Sequence, residues 1–157
     1  MKHIITLLVE NQPGVLARIV GLISGRGYNI ETLNVGPTQE ATVSRMTIQV
    51  PGDDRVLEQV TKQLNKLVDV IKVTDLTAQS FVSREMVLVK ISTPRGKRSE
   101  IVELTNLFGG EVAAVGPQSL IVQLNDGEHK INEFLELLKP YGILDVSRSG
   151  VIAMVKD

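Results

Sequence analysis

The sequence has no cysteine and no tryptophan among its 157 residues. The first absence excludes disulfides, thiol catalysis and zinc–thiolate sites, and it suits a reducing, cytoplasmic setting. Only two histidines occur, His3 and His129, too few for a multi-histidine metal site. Aromatic residues make up 3% of the chain, so a base-stacking surface has little to build on. Neither sign of charge dominates: 17 Lys and Arg face 18 Asp and Glu, for a net charge of -1. That balance creates no broad field to draw nucleic acid or an anionic membrane. No apolar run approaches the roughly 20 residues of a membrane helix. Met1-Lys2-His3-Ile4-Ile5-Thr6 enters a strand-like pattern at once, so no leader peptide is expected. The rest is an ordinary globular balance, 43% apolar and 22% charged. The length leaves open one domain or two of about 75 residues.

Residues 3–10 are rich in Ile, Leu and Val and read as a strand. Asn11-Gln12-Pro13-Gly14 signals a turn. Leu16, Ile19, Val20 and Ile23 then recur at helical spacing, ending at Gly25 or Gly27. Residues 28–35 predict a second strand closed by Gly36-Pro37, and residues 44–50 a third. Pro51-Gly52-Asp53-Asp54 breaks that strand and offers helix caps. Leu57, Val60, Leu64 and Leu67 line a second helix, and residues 70–76 predict a fourth strand. After the polar linker Thr77-Ala78-Gln79-Ser80 the order starts again. Strands are expected at 86–91, 111–115, 120–124 and 143–146, with helices around Ile101 and Ile131. Residues 151–155 would extend the last strand beyond Gly150.

The two halves therefore share one order, β-α-β-β-α-β. Leu8-Val9 corresponds to Leu88-Val89, and Gly36-Pro37 to Gly116-Pro117. Ile48-Gln49-Val50 corresponds to Val122-Gln123-Leu124 at a shorter shift. The fold class expected is α+β, with two tandem ferredoxin-like units, at residues 1–78 and 79–157. Two helices cover only one face of each sheet. Both alternating sets of the first strand are apolar, Ile5, Leu7 and Val9 on one face and Ile4 and Leu8 on the other. Units this small are also marginal alone. Pairing through the bare face or a sheet edge would relieve both problems, so a homodimer is expected.

The strongest constellation is Asn11-Gln12-Pro13-Gly14-Val15-Leu16-Ala17-Arg18, joining strand to helix. A helix start carries unpartnered N–H groups and a positive dipole end. Gly14 would let a ligand approach that backbone, and Asn11 adds an amide that donates and accepts. Such a loop can hold an amino acid's carboxylate and ammonium, or it can be a well-made helix entry and nothing more. Asn29 could reach a site made by a neighbouring subunit. In the second half, Thr93-Pro94-Arg95-Gly96-Lys97-Arg98-Ser99 keeps the Pro and Gly, lacks the Asn and carries three cations. It could take a phosphate or an acidic surface, or be a solvated loop. His3 has no triad partner nearby in sequence, and Asp53-Asp54 reads as a capping turn. No dinucleotide or phosphate-binding glycine loop occurs.

The Asn11–Leu16 stretch resembles the ligand loop of ACT domains, amino-acid-sensing modules of metabolic enzymes. Arg26-Gly27-Tyr28-Asn29-Ile30-Glu31-Thr32-Leu33-Asn34-Val35-Gly36-Pro37-Thr38 is more specific. With Ser44-Arg45-Met46-Thr47-Ile48, Lys66-Leu67-Val68-Asp69-Val70, Leu88-Val89-Lys90-Ile91 and Arg148-Ser149-Gly150-Val151, it closely resembles the small, regulatory subunits of acetohydroxyacid (acetolactate) synthase. The resemblance spans essentially the whole chain. It implies an N-terminal ACT domain and a C-terminal ACT-like domain. It implies a chain without catalytic residues, cofactor or metal of its own, which dimerises, activates a catalytic large subunit and confers feedback inhibition by valine. Thiamine diphosphate, Mg and FAD would sit on the large subunit, which catalyses the first common step of branched-chain amino-acid synthesis. By position, Asn11, Gly14, Val15 and Leu16 would line the valine site, and Asn29 and Ile30 would come from the partner subunit.

Three other readings remain open from the residues: a free-standing amino-acid-sensing ACT protein, an acylphosphatase-like hydrolase using Arg18 and an Asn, and an RNA-binding module. The last would need aromatic residues on central strands, and none stands there in pairs.

Overall fold

The computed structural model describes residues 2–157. The chain forms two compact units. One takes the residues up to Val82 together with Val151–Asp157, and the other takes Ser83–Gly150.

The first unit runs β1 (Lys2–Glu10), α1 (Val15–Gly25), β2 (Thr32–Pro37), β3 (Val43–Pro51), α2 (Asp54–Leu64) and β4 (Val70–Asp75). Its antiparallel sheet has the order β2-β3-β1-β4. β1 is central and pairs β3 with Ile5 opposite Ile48 and Leu7 opposite Met46. The odd-numbered set Ile5, Leu7 and Val9 is buried with Met46, Ile48 and Val50 beneath Ile19 and Ile23 of α1 and Val60 and Leu64 of α2. A fully buried Leu or Ile contributes about 1.5–3 kcal/mol, so these side chains dominate the unit's stability. α1 ends in a Schellman motif. Gly27 adopts φ +78°, its N–H donates to the Ser24 carbonyl at 3.0 Å, and Tyr28 N–H donates to the Ile23 carbonyl at 3.3 Å. α2 is capped by Asp53, whose carboxylate accepts from Val56 N–H at 3.0 Å.

The second unit repeats the plan. It contains most of β5 (Phe81–Ser92), then α3 (Arg98–Leu107), β6 (Glu111–Val115), β7 (Ser119–Asp126), α4 (Glu128–Leu138) and β8 (Ile143–Arg148). Its sheet order, β6-β7-β5-β8, is that of the first unit. Val87, Val89 and Ile91 are buried with Leu120, Val122 and Leu124, under Ile101, Ile131, Phe134 and Leu138. Phe108 and Phe134 stack at a 44° tilt with centroids 5.2 Å apart.

The two-fold β-α-β-β-α-β plan is thus present as the pattern predicts, with local corrections. Residues 28–31 are not strand, and β2 starts at Thr32. The Schellman turn and the Glu31 N–H bond to the Gln49 carbonyl at 2.9 Å direct the chain there. Leu67 lies beyond α2, in a turn closed by its N–H on the Leu64 carbonyl at 3.1 Å. β5 starts at Phe81, five residues before Met86. The C-terminal segment does not prolong β8. Gly150 at φ +81° breaks that strand, and Ile152–Val155 forms a separate β9 paired to β5.

Candidate functional site

The first strand delivers the chain to the sheet's end, and the β1–α1 loop turns it back. Asn11 anchors this loop. Its N–H donates to the Thr42 carbonyl at 2.8 Å, and its Nδ2 donates to the Ala41 carbonyl at 3.0 Å. α1 then begins with Gly14 as N-cap, at φ +84° and ψ -9°. This left-handed conformation costs an L residue roughly 1–2 kcal/mol, and glycine little. A Cβ at Gly14 would also lie 3.1 Å from Arg18 Nη1. No side chain caps the helix start, and its first turn holds no acidic residue. Val15 N–H makes a long bond of 3.4 Å to the Gln12 carbonyl, and the Leu16 and Ala17 N–H groups and the dipole's positive end are left for an anion from elsewhere.

Around that start, Val15 is 3% exposed and belongs to the core, so it can meet a ligand only through its backbone. Leu16 is 44% exposed and can offer its side chain. Asn29 and Ile30 lie on another segment, the irregular residues leading into β2, which is an edge strand. Asn29 is exposed, and Ile30 packs in part against the first unit's core.

Two neighbours of the loop escaped sequence reasoning as a pair. Arg18 Nε donates to Asp69 Oδ2 at 2.7 Å, and the Asp69 carbonyl accepts from Glu10 N–H at 2.9 Å. The pair ties α1 to the segment entering β4. It is half in water, so its contribution is about 0–1 kcal/mol. No local spacing announces it, because 51 residues separate the partners.

The equivalent loop of the second unit is built differently. Arg98 Nη2 donates to the Gly116 carbonyl at 2.6 Å and reaches Thr93 Oγ1 and the Pro117 carbonyl at 3.3 Å. Lys97 Nζ lies 3.3 Å from Glu100 Oε1, and the Tyr141 hydroxyl donates to Glu100 Oε2 at 3.0 Å. These two contacts, the tyrosine first, hold the Glu100 carboxyl below its ordinary range; in return Glu100 raises the Tyr141 phenol. Of the three cations expected to offer themselves to a phosphate or an acidic surface, only Arg95 has no partner among the described residues.

His3 is a core residue. It is fully buried, its Nε2 donates to the Gly52 carbonyl at 3.0 Å, and its Nδ1 lies 3.1 Å from Thr77 Oγ1. The first bond requires Nε2–H, which leaves Nδ1 to accept from the threonine in the neutral ring. Asp53 acts as a cap and His129 is exposed. Among the described residues no group of three or more acidic or histidine side chains is placed to hold a metal. Nor is any described helix long and apolar enough to cross a membrane.

Comparisons with known proteins agree across both units. Residues 5–72 match the family described as AHAS small subunit-like ACT domain, and residues 84–157 match the family described as small subunit of acetolactate synthase. A probable acetolactate synthase small subunit of Archaeoglobus fulgidus is 51% identical over 99% of this chain and 98% of its own. The acetolactate synthase isozyme 3 small subunit of Salmonella typhimurium is 46% identical over 98% of this chain and 95% of its own. The crystal structure of the acetolactate synthase small subunit from Thermotoga maritima superposes with a TM-score of 0.90 at 34% identity, covering 100% of this chain and 98% of that one. With both halves matched in order and the fold shared end to end, the chain belongs to the acetolactate synthase small-subunit family.

Proposed function

We propose that this chain is the regulatory subunit of an acetolactate synthase: it binds a catalytic large subunit, raises its activity and makes it sensitive to feedback by valine. Thiamine diphosphate, Mg and FAD belong to the large subunit in this reading, and no chemical step falls to the small one. The complex works in the cytoplasm. Residues 1–78 bind the amino acid and dimerise. The second ACT-like unit, expected at residues 79–157, has Ser83–Gly150 as its compact body, since Val151–Asp157 groups with the first unit.

One observation carries the proposal. The α1 start has a glycine N-cap in left-handed backbone, no capping side chain and no acid in its first turn. An amino-acid carboxylate placed there meets free N–H donors and the dipole's positive end. Asn11, held by the β2–β3 turn, supplies an amide oxygen for the ammonium, and the exposed part of Leu16 suits a branched aliphatic side chain.

A second copy would complete the pocket. β2 is an edge strand that exposes Leu33 (37%) and Val35 (42%), an edge suited to pairing. Asn29 and Ile30 directly precede that edge, so a copy joined along β2 brings its own Asn29 and Ile30 toward the neighbouring loop. Titrating the chain with valine, leucine and isoleucine by calorimetry, with and without the large subunit, tests the reading. Saturable binding of one of them, with inhibition of the reconstituted enzyme, is expected. Heat-silent titrations and an unregulated enzyme would overturn it.

A further inference from the structure

The face of the first unit's sheet that its helices do not cover changes character along its length. In its middle, Asn34, Thr47, Thr6 and Thr74 line up across β2, β3, β1 and β4, polar and uncharged. Two residues along the strands, toward the β2–β3 turn, the row becomes Gly36, Arg45, Leu8 and Lys72. Two cations now flank one leucine.

Neither cationic side chain is engaged in a hydrogen bond or ion pair among the described residues. Arg45 is nevertheless half-buried. It lines a groove of about 580 Å³ whose apolar surface comes from Leu8, Val43, Ile71 and Met154. Ile71 and Met154 are 55% and 62% exposed, large apolar groups open to water. Glu40 stands on the same groove without pairing to Arg45. A half-desolvated guanidinium beside exposed Met and Ile calls for a carboxylate on an otherwise apolar occupant. The guanidinium fork binds carboxylates in two parallel bonds.

The spacing favours a polypeptide over a small anion. Arg45 and Lys72 stand two strands apart, roughly 10 Å at about 4.8 Å per strand. One carboxylate can satisfy either cation at full contact. An extended segment with acids at alternate positions places them about 7 Å apart, within reach of two long side chains. Gly36 beside Arg45 has open space where a Cβ would stand, so a second backbone can come close to the strand there.

We infer that this groove, with Arg45 on its wall and Lys72 beside it across Leu8, docks an acidic, partly apolar segment of the catalytic large subunit. The inference rests on the regulatory reading above and adds to it the surface through which activation passes. It lies on the face of the sheet opposite α1, so the activating contact and the valine loop are separate features of one unit.

The test is an activation titration of the large subunit with wild type, Arg45→Glu, Lys72→Glu and the double variant, at low and high salt. Lys62→Glu, on exposed α2, controls for net charge. The double variant should need at least ten times more small subunit for half-activation, and Lys72→Glu alone about threefold more. Wild-type activation should weaken with salt, and the control should match wild type. Lys72 is exposed on an edge strand, so its variant keeps the test valid if Arg45→Glu fails to fold. Half-activation at the wild-type concentration in the double variant would overturn the inference. So would a defect confined to self-association of the small subunit, which would make a second copy the occupant. Failure of wild type itself to activate would instead sink the regulatory reading.

Discussion

The β1–α1 and β5–α3 loops occupy the same place in two units of one topology, yet one is open and the other is closed by its own side chains. Both helices start without a side-chain cap. At the third helical position the first unit has Ala17 and the second has Glu100. Glu100 brings a carboxylate to its own helix start and is held there by Tyr141 and Lys97. Arg98 closes the rest of that loop on the Gly116 carbonyl. In the first unit no acid stands in the helix's first turn, and Arg18, beside Gly14, is paired with Asp69. The difference teaches that a shared loop geometry offers a ligand only those donors that the chain leaves unanswered.

The largest effect should come from Gly14→Asp. Two like charges 4 Å apart repel by about 4 kcal/mol at an effective dielectric near 20, and a third of that is tenfold in affinity. Valine inhibition of the reconstituted enzyme should fall at least tenfold. A helix start favours Asp, but the left-handed backbone does not, and a thermal melt should show a loss of about 1–2 kcal/mol. The new carboxylate would also draw Arg18 from Asp69. An unchanged inhibition constant would move the site elsewhere.

Ala17→Glu is a cleaner way to erase the contrast, since it gives α1 the acid that α3 already has. An acid in the first turn contributes roughly 0.3–1 kcal/mol, so the melting temperature should hold or rise. Inhibition should weaken about fivefold as the variant answers its own donors. A stabilised protein with undiminished inhibition would show that the helix start does not hold the ligand. Asn11→Ala should weaken inhibition by a smaller factor of about three to five, for a loss near 1 kcal/mol. If activation falls with it, the Ala41 anchor matters more than the ligand.

The smallest effect sharpens the comparison from the other side. Glu100→Gln in the second unit should leave inhibition unaltered. The folded protein holds the Glu100 carboxyl below 4.5, its value in the open chain. Its contribution is therefore complete above that value and is lost as pH falls through the lower, folded one. Acid unfolding curves of wild type and variant should differ near neutral pH and converge in acid. Curves that stay parallel down to the lowest pH would mean that the Tyr141 contact does not persist in solution.

Much of this was readable in one dimension. Alternating Ile5, Leu7 and Val9 and the spacing of Ile19 and Ile23 placed the core because burial follows strand and helix periods, whereas Leu16 on the same expected face is 44% exposed and Val15 takes the buried place at the helix start. Asp53 read correctly as a cap, since capping is local. Residues 28–31 misled because Tyr28 and Ile30 alternate like a strand while a Schellman turn sets their path. Residues 151–155 misled because strand propensity does not name a partner, and pairing with β5 spans some 70 residues.

By itself, then, the sequence determined two β-α-β-β-α-β units, their cores and the glycine loop before α1, all of which rest on short-range periodicity and backbone preference. Tertiary structure decided what long-range contacts must decide. It tied Arg18 to Asp69, closed the basic loop with Arg98 and Glu100, and made His3 a buried brace between Gly52 and Thr77. It also set Arg45 and Lys72 on either side of Leu8. A side chain's partner depends on strand register, and register is settled only when the whole sheet has formed.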